Sequence, residues 1–171
     1  ETPNIIYDTD IGPDYDDVAA LSILHYYANQ GRANLLATVC DTATPYGASC
    51  LDALNTYYGR PDLPVGTMKS RDDIFPDCRG INYNKAVTAR YETDIPDGFH
   101  APDAVEVYRQ VLAAQPDHSV TIVVTGMLTN LYDLLRSEPD QYSDLNGQEL
   151  VAQKVKLVSC MGGNFPSGAE F

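Results

Sequence analysis

The sequence has no tryptophan, only four cysteines and a marked shortage of basic side chains. Its 171 residues carry 11 Lys and Arg against 24 Asp and Glu, a formal net charge of −13. A surface of that sign repels phosphate backbones and anionic lipid over a Debye length of about 10 Å at 0.1 M salt, so nucleic acid and membrane are not expected partners. No stretch reaches the roughly 18 apolar residues of a membrane-spanning helix. Cys40, Cys50, Cys78 and Cys160 lack C-x-x-C spacing, which removes a structural zinc site. They read as buried small hydrophobes, Cys40 and Cys160 above all because each ends an apolar run. Disulfides among Cys40, Cys50 and Cys78 stay open. The chain starts at Glu1 without a Met, which reads as a processed or engineered N-terminus. A secreted or periplasmic protein that has lost its leader fits this, with a cytoplasmic one as the alternative.

What is present is a regular alternation. An apolar share of 44% suffices for one buried core. Apolar runs at 4–8, 35–40, 63–67, 120–125 and 155–160 read as strands. Helical patterns cover 16–29, where Val18, Leu21, Leu24 and Ala28 share a stripe, then 48–58, 103–114 and about 130–137. Strands alternating with helices predict a single α/β domain over 1–171, an open and mainly parallel sheet with helices on both faces. The stretch 69–100 mixes Pro, Gly, Asp, Asn and Tyr without clear periodicity and reads as a long irregular excursion. Its Tyr83 and Tyr91 read as amphipathic surface tyrosines. In such sheets ligands bind beyond the carboxyl ends of the strands, so 8–17, 125–130 and 161–171 are the segments where chemistry is expected.

The first of these runs D-T-D-I-G-P-D-Y-D-D, five carboxylates in ten residues. Two like charges about 4 Å apart repel by roughly 4 kcal/mol at an effective dielectric of 20, so some protonate or a cation settles among them. Hard oxygen donors suit Ca²⁺ or Mg²⁺, and Ca²⁺ better tolerates irregular geometry. Helix capping accounts for one or two of Asp16 and Asp17 at about 1 kcal/mol each, but not for Asp8 and Asp10. The loop is not an EF-hand, because Gly12 falls one place early and Ala19 stands where a bidentate Glu belongs. Asp8-Thr9-Asp10 also resembles the D-x-D signature of haloacid-dehalogenase-type phosphatases, with Asp8 as nucleophile, Asp10 as acid/base partner and Thr125 as second-motif hydroxyl. That alternative leaves Asp16-Asp17 without a role and lacks a late acidic metal motif.

Asp8-Thr9-Asp10, Gly12 and the run from Asp16 to Leu21 resemble the N-terminal signature of the inosine/uridine-preferring nucleoside hydrolases. The stretch Val124-Thr125-Gly126-Met127-Leu128-Thr129-Asn130-Leu131 is similar to that family's T-G-x-L-T-N segment. Met161-Gly162-Gly163 with Ala169-Glu170-Phe171 resembles its M-G-G…A-E-F segment. The resemblance implies Ca²⁺-dependent hydrolysis of a ribonucleoside N-glycosidic bond. It implies Asp10 as metal ligand and general base, Asp17 as chelator, Thr125 as a carbonyl ligand and Asp16 at a ribose hydroxyl. Glu170 would meet the 5′-hydroxyl and Asn164 the 3′-hydroxyl.

The departures are specific. Pro13-Asp14-Tyr15 lengthens the acidic loop, so Asp14 can replace Asp16 in either role. The family's sugar-facing Asn after the second strand is absent, and Asp41 and Thr44 are the candidates for its place. Among the histidines, His25 reads as facing out of its helix, His118 as solvated in a turn, and His100 as closing the long loop within reach of the pocket. The relatives take a further metal carboxylate and a leaving-group His from their second half, so the chain reads as the N-terminal portion of a larger domain, with a remnant that binds metal and ribose as the non-catalytic alternative. Homo-oligomers occur among the relatives, but no interface and no base preference can be read here.

Overall fold

The computed structural model describes residues 2–12, 14–80, 82–164 and 166–168. Five strands form its sheet: β1 (Asn4–Thr9), β2 (Asn34–Cys40), β3 (Val65–Thr67), β4 (Val120–Val124) and β5 (Val155–Cys160). Their order is β3-β2-β1-β4-β5 and every pairing is parallel. The helices are α1 (Asp16–Asn29), α2 (Gly47–Tyr57), α3 (Tyr83–Thr88), α4 (Ala104–Ala113), α5 (Thr129–Arg136) and α6 (Gly147–Lys154).

Side chains alternate across a strand, and here each face has its own apolar partner layer. Ile6, Val39, Val120, Ile122 and Val124 meet Tyr108 and Leu112 of α4, Leu134 of α5 and Leu150 of α6. Ile5, Tyr7, Leu35 and Val65 meet Leu21 of α1 and Ala48 and Leu51 of α2. A parallel sheet needs both faces covered, which is why its inner strands read as continuous apolar runs. The expected α/β architecture with helices on both faces is thus present. The chain moves outward from β1 through β2 to β3 and returns beside β1 as β4, so the strand order reverses between β1 and β4. The crevice of an open α/β sheet lies beyond that reversal.

Several expectations need correction. The excursion at 69–100 is not wholly irregular, for it holds a 3₁₀ turn at Cys78–Gly80 and α3, whose Tyr83 and Val87 pack on the α1/α2 side of the sheet. Tyr83 is therefore half-buried rather than a surface tyrosine, while Tyr91 is exposed. Helix α6 lies in a stretch read as having no element. Its signal is a capping box, with Glu149 N–H donating to Asn146 Oδ1 and Asn146 N–H to Glu149 Oε2, each 3.0 Å. Cys40, Cys50 and Cys78 are buried and free, but Cys160 is exposed. It ends β5, an edge strand whose Leu157 and Val158 are exposed as well. His25 does not face solvent. It is fully buried between α1 and α2, its Nε2 2.9 Å from Asn55 Oδ1 and its ring stacked 4.7 Å from that of Tyr58. Burial lowers its pKa below the usual range, so it is held neutral.

A single charged side chain fixes the segment between α5 and α6. Arg109 on α4, 2% exposed, donates to both Asp140 oxygens (2.7 and 3.1 Å), to Ser137 Oγ (2.9 Å) and to the carbonyls of Ser143 (3.1 Å) and Leu145 (2.9 Å). Removing a buried, fully bonded guanidinium strands its acceptors. We expect Arg109→Met to lower the unfolding free energy by about 3 kcal/mol in urea titration; a loss under about 1 kcal/mol would show that this cage does not hold the segment.

Candidate functional site

The carboxyl end of β1 lies at the strand reversal, and there the D-T-D sequence divides into two unlike aspartates. Asp8 is still inside the sheet and shares the face of Ile6. It is fully buried, with Tyr108 Oη donating to Oδ2 at 2.7 Å and Asn130 Nδ2 donating to Oδ1 at 3.0 Å. Burial raises its pKa to about 7, against the pull of these hydrogen bonds. Asp10 stands past the strand end and is half-buried. Its pKa is also raised to about 7, first by burial and then by the charge of Asp17.

Asp17 joins the site from the first turn of α1. It does not cap the helix: Tyr15 is the N-cap and makes no side-chain capping bond. Instead Asp17 Oδ1 accepts from Thr9 Oγ1 and from Thr125 Oγ1, both at 2.7 Å. Tyr7 Oη donates to the Asp17 carbonyl at 3.1 Å and lies 2.9 Å from Thr125 Oγ1. One carboxylate oxygen is thus occupied by hydroxyls from β1 and from the end of β4. Burial raises the Asp17 pKa, and Asp10 sits close enough for the two carboxyls to share a proton. Asp14 and Asp16 complete the cluster, since one carboxylate oxygen from each lies within 4.8 Å of the others and of one from Asp17. The Asp14 pKa rises to about 6, chiefly through its hydrogen bond with Asp16 and then through burial.

Gly12 lets this loop close. Its φ is +147°, and a Cβ there would lie 2.6 Å from both Asn84 Nδ2 and Cys78 Sγ. Asn84 also donates to the Ile11 carbonyl at 3.2 Å, so the excursion at 69–100 helps to hold the acidic loop.

The structure therefore brings Asp14, Asp16 and Asp17 within reach of one ligand, with Asp10 beside Asp17 and Thr125 bonded to it. Thr125 contributes a hydroxyl to Asp17, a role absent from the sequence reading. Asn164 lies exposed past β5 with Gly168 against it. Glu170 is outside the described residues. His100 is exposed and paired with Asp97 at 2.7 Å, beside a cleft lined by Pro64, Val65 and Glu106 at the β3 edge. His118 is exposed in its turn at φ +52°. Thr44 turns its hydroxyl towards Asn84 Nδ2 and Tyr46 N–H, each 3.4 Å away.

Sequence reasoning offered Asp41 only for the place of the family's sugar-facing Asn, gave Asn130 no role beyond the T-G-x-L-T-N resemblance, and did not single out Tyr108. Asp41 follows β2 as Asp10 follows β1, which is the signal that was available. It is fully buried, and neither carboxylate oxygen closes a hydrogen bond, although the Met127 N–H and the Asp8 carboxyl lie beside it. Burial pushes its pKa well above the carboxylate range, and the charges of Asp8, Asp10 and Asp17 push it further.

Among the described residues these aspartates have no protein counter-charge. Among the described residues, the four ion pairs are Arg71–Asp73, His100–Asp97, Arg109–Asp140 and Lys154–Asp117, and none touches the cluster. Carboxylates crowded without a cation, one of them buried and unpartnered, form a hard-oxygen donor set that fits a divalent metal ion.

The family of inosine-uridine preferring nucleoside hydrolases matches this sequence over residues 5–171. The chain belongs to that family. Among curated proteins none matches the chain significantly. Two solved structures share the fold of this nucleoside hydrolase family member. The effector protein XOO4466 superposes with a TM-score of 0.75 at 21% identity, over 98% of this chain and 46% of its own. Type III effector protein XopQ, complexed with adenosine diphosphate ribose, superposes with a TM-score of 0.70 at 20% identity, over 98% of this chain and 45% of its own. The chain thus spans less than half the length of either. The phosphatase alternative fails on geometry, because Asp8, its required nucleophile, is sealed beneath Tyr108 and Asn130 and Thr125 Oγ1 is committed to Asp17.

The raised pKa values set a direction for stability. Asp8 and Asp10, at about 7 in the fold, hold protons that the unfolded chain has lost above its value of 3.8. Their contribution is full below about pH 4 and disappears as pH rises through 7. In chelator, the melting temperature should therefore fall between about pH 4.5 and 7 and level off above that, and Asp10→Asn should remove part of that fall. An identical pH slope in wild type and variant would contradict the assigned shift.

Proposed function

We propose that this domain hydrolyses the N-glycosidic bond of a ribonucleoside with Ca²⁺ as its cofactor. The observation that carries the reading is that Asp10, Asp14, Asp16 and Asp17 lie beyond the strand reversal with no basic partner among the described residues. Family membership supplies the reaction class. N-glycoside cleavage develops oxocarbenium character, so the site must hold the sugar hydroxyls and direct a deprotonated water at the anomeric carbon. When bound, a divalent cation lowers the pKa of coordinated water and offers a centre for vicinal hydroxyls.

Asp10 and Asp17 are the proposed metal ligands from side chains, with the Thr125 carbonyl as a third. Asp10, with a pKa near neutrality, is the general base that takes the proton of the attacking water. Thr9 and Thr125 saturate one Asp17 oxygen and leave the other to the ion. Asp16 and Asp14, both exposed, accept hydrogen bonds from ribose hydroxyls. Asn164 and Glu170 are proposed contacts for the 3′- and 5′-hydroxyls. The base then extends over the segment after β4, where Met127, Leu128, Thr129 and Ile74 line an open cleft of about 580 Å³.

The XopQ complex favours a second reading, in which the site holds a ribose-bearing ligand without cleaving it. The two separate by experiment. Turnover of p-nitrophenyl riboside by the chain, reduced about 10²–10⁴-fold in Asp10→Asn, establishes the hydrolase. Calorimetric binding of ADP-ribose with no turnover of either nucleoside or riboside establishes the binding domain. Turnover that survives Asp10→Asn overturns the assignment of the base.

A further inference from the structure

The residue directly after β2 carries a carboxylate that neither the structural framework nor the proposed chemistry uses. Asp41 is wholly hidden from solvent, and neither of its oxygens closes a hydrogen bond, although the Met127 N–H and the Asp8 carboxyl lie beside them. The contrast with Asp8 is informative. Asp8 is equally buried, yet Tyr108 and Asn130 each serve one of its oxygens. An aspartate kept for packing would be bonded in that way, since a buried polar group left without a partner costs free energy.

Its position is set by the backbone. Asp41 N–H donates to the Thr9 carbonyl at 3.0 Å and the Asp41 carbonyl accepts from Thr129 Oγ1 at 3.1 Å, which fastens the residue between the ends of β1 and β4. Gly126 leaves room for the side chain. A Cβ on Gly126 would lie 2.5 and 2.8 Å from the two Asp41 oxygens and 2.6 Å from the Asp10 nitrogen. The carboxylate therefore fills the space a side chain at 126 would occupy and is directed to the point where Asp10 leaves the sheet.

We propose that Asp41 is a carboxylate ligand of the cation held by Asp10 and Asp17, entering from beneath the site where Gly126 makes the opening. The inference rests on the cation reading under Proposed function, and Asp41 adds a donor that the family signature does not contain. A carboxylate at that point supplies charge that an amide cannot, so affinity for the ion depends on it. Its hidden oxygens gain the partner they lack once the ion is bound.

The test is calorimetric titration of the chain with CaCl₂ at pH 7.5, comparing wild type with Asp41→Asn and Asp8→Asn. Asp41→Asn keeps size and shape, and should raise the Kd for Ca²⁺ at least about tenfold. Asp8→Asn removes a charge at similar depth from a carboxyl whose oxygens are already taken, and should raise it less than about threefold. Should Asp41→Asn not fold, Asp41→Ser is read the same way. A wild-type chain that binds no Ca²⁺ overturns both this inference and the calcium reading. Wild-type binding with an unchanged Kd in the Asp41 variant, or equal losses in the Asp41 and Asp8 variants, overturns this inference alone.

Discussion

Negative charge packed at the end of the central strand is the constraint around which the rest of the molecule is arranged. Asp8, Asp10, Asp17 and Asp41 converge there, and at an effective dielectric of 20 each close pair of ionised carboxylates repels by roughly 4 kcal/mol. The fold meets that repulsion by hydroxyl and amide donors rather than by basic side chains. Thr9 and Thr125 serve Asp17, while Tyr108 and Asn130 serve Asp8. These donors come from β1, the end of β4, α4 and α5, so elements on both sides of the strand reversal depend on the same few carboxylates. Neutral donors moderate the charge without cancelling it, and the upward shifts at Asp8, Asp10, Asp17 and Asp41 are what remains.

Topology explains why the donors arrive together. Asp17 lies eight residues after Thr9, but Thr125 is 108 residues beyond Asp17. Only the pairing of β4 with β1 brings that hydroxyl to Asp17, and the register that sets Asp8 against Val124 fixes how far past the sheet it sits. The two solved neighbours keep this fold at 20–21% identity. Such persistence is expected where packing tolerates exchange of apolar residues of similar volume.

Much of this was legible in the sequence because strand runs, acidic spacing and glycines after strands are local signals. The strands at 35–40, 120–125 and 155–160 carry β-branched runs that few other elements produce, and all three lie in the sheet within a residue of those bounds. Side-chain destinations were less legible. His25 sits on a helical face that reads as polar, but α2 presents Asn55 to it, and that pairing joins residues 30 apart. Cys160 ends an apolar run, yet an edge strand exposes what an inner strand would bury. Helix α6 has little apolar stripe, and its capping box was the stronger sign. Asp41 could be placed at a strand end, but that its oxygens lack partners is a property of the whole neighbourhood.

The division of labour between the two aspartates of D-T-D follows from one residue of strand length. Both positions have the same parity, and in a longer β1 both would face α4 and α5. Because β1 ends at Thr9, Asp8 keeps its sheet position under Tyr108 and Asn130, whereas Asp10 is released into the loop that leads to Asp14, Asp16 and Asp17. Thr9 lies between them on the opposite face and joins β1 to α1 through Asp17. A nucleophilic role for the first aspartate would require the reverse arrangement, with its carboxyl open and the second one held. The sheet's end thus selects between two chemistries that share a tripeptide, and it leaves Asp10 as the carboxyl able to reach water.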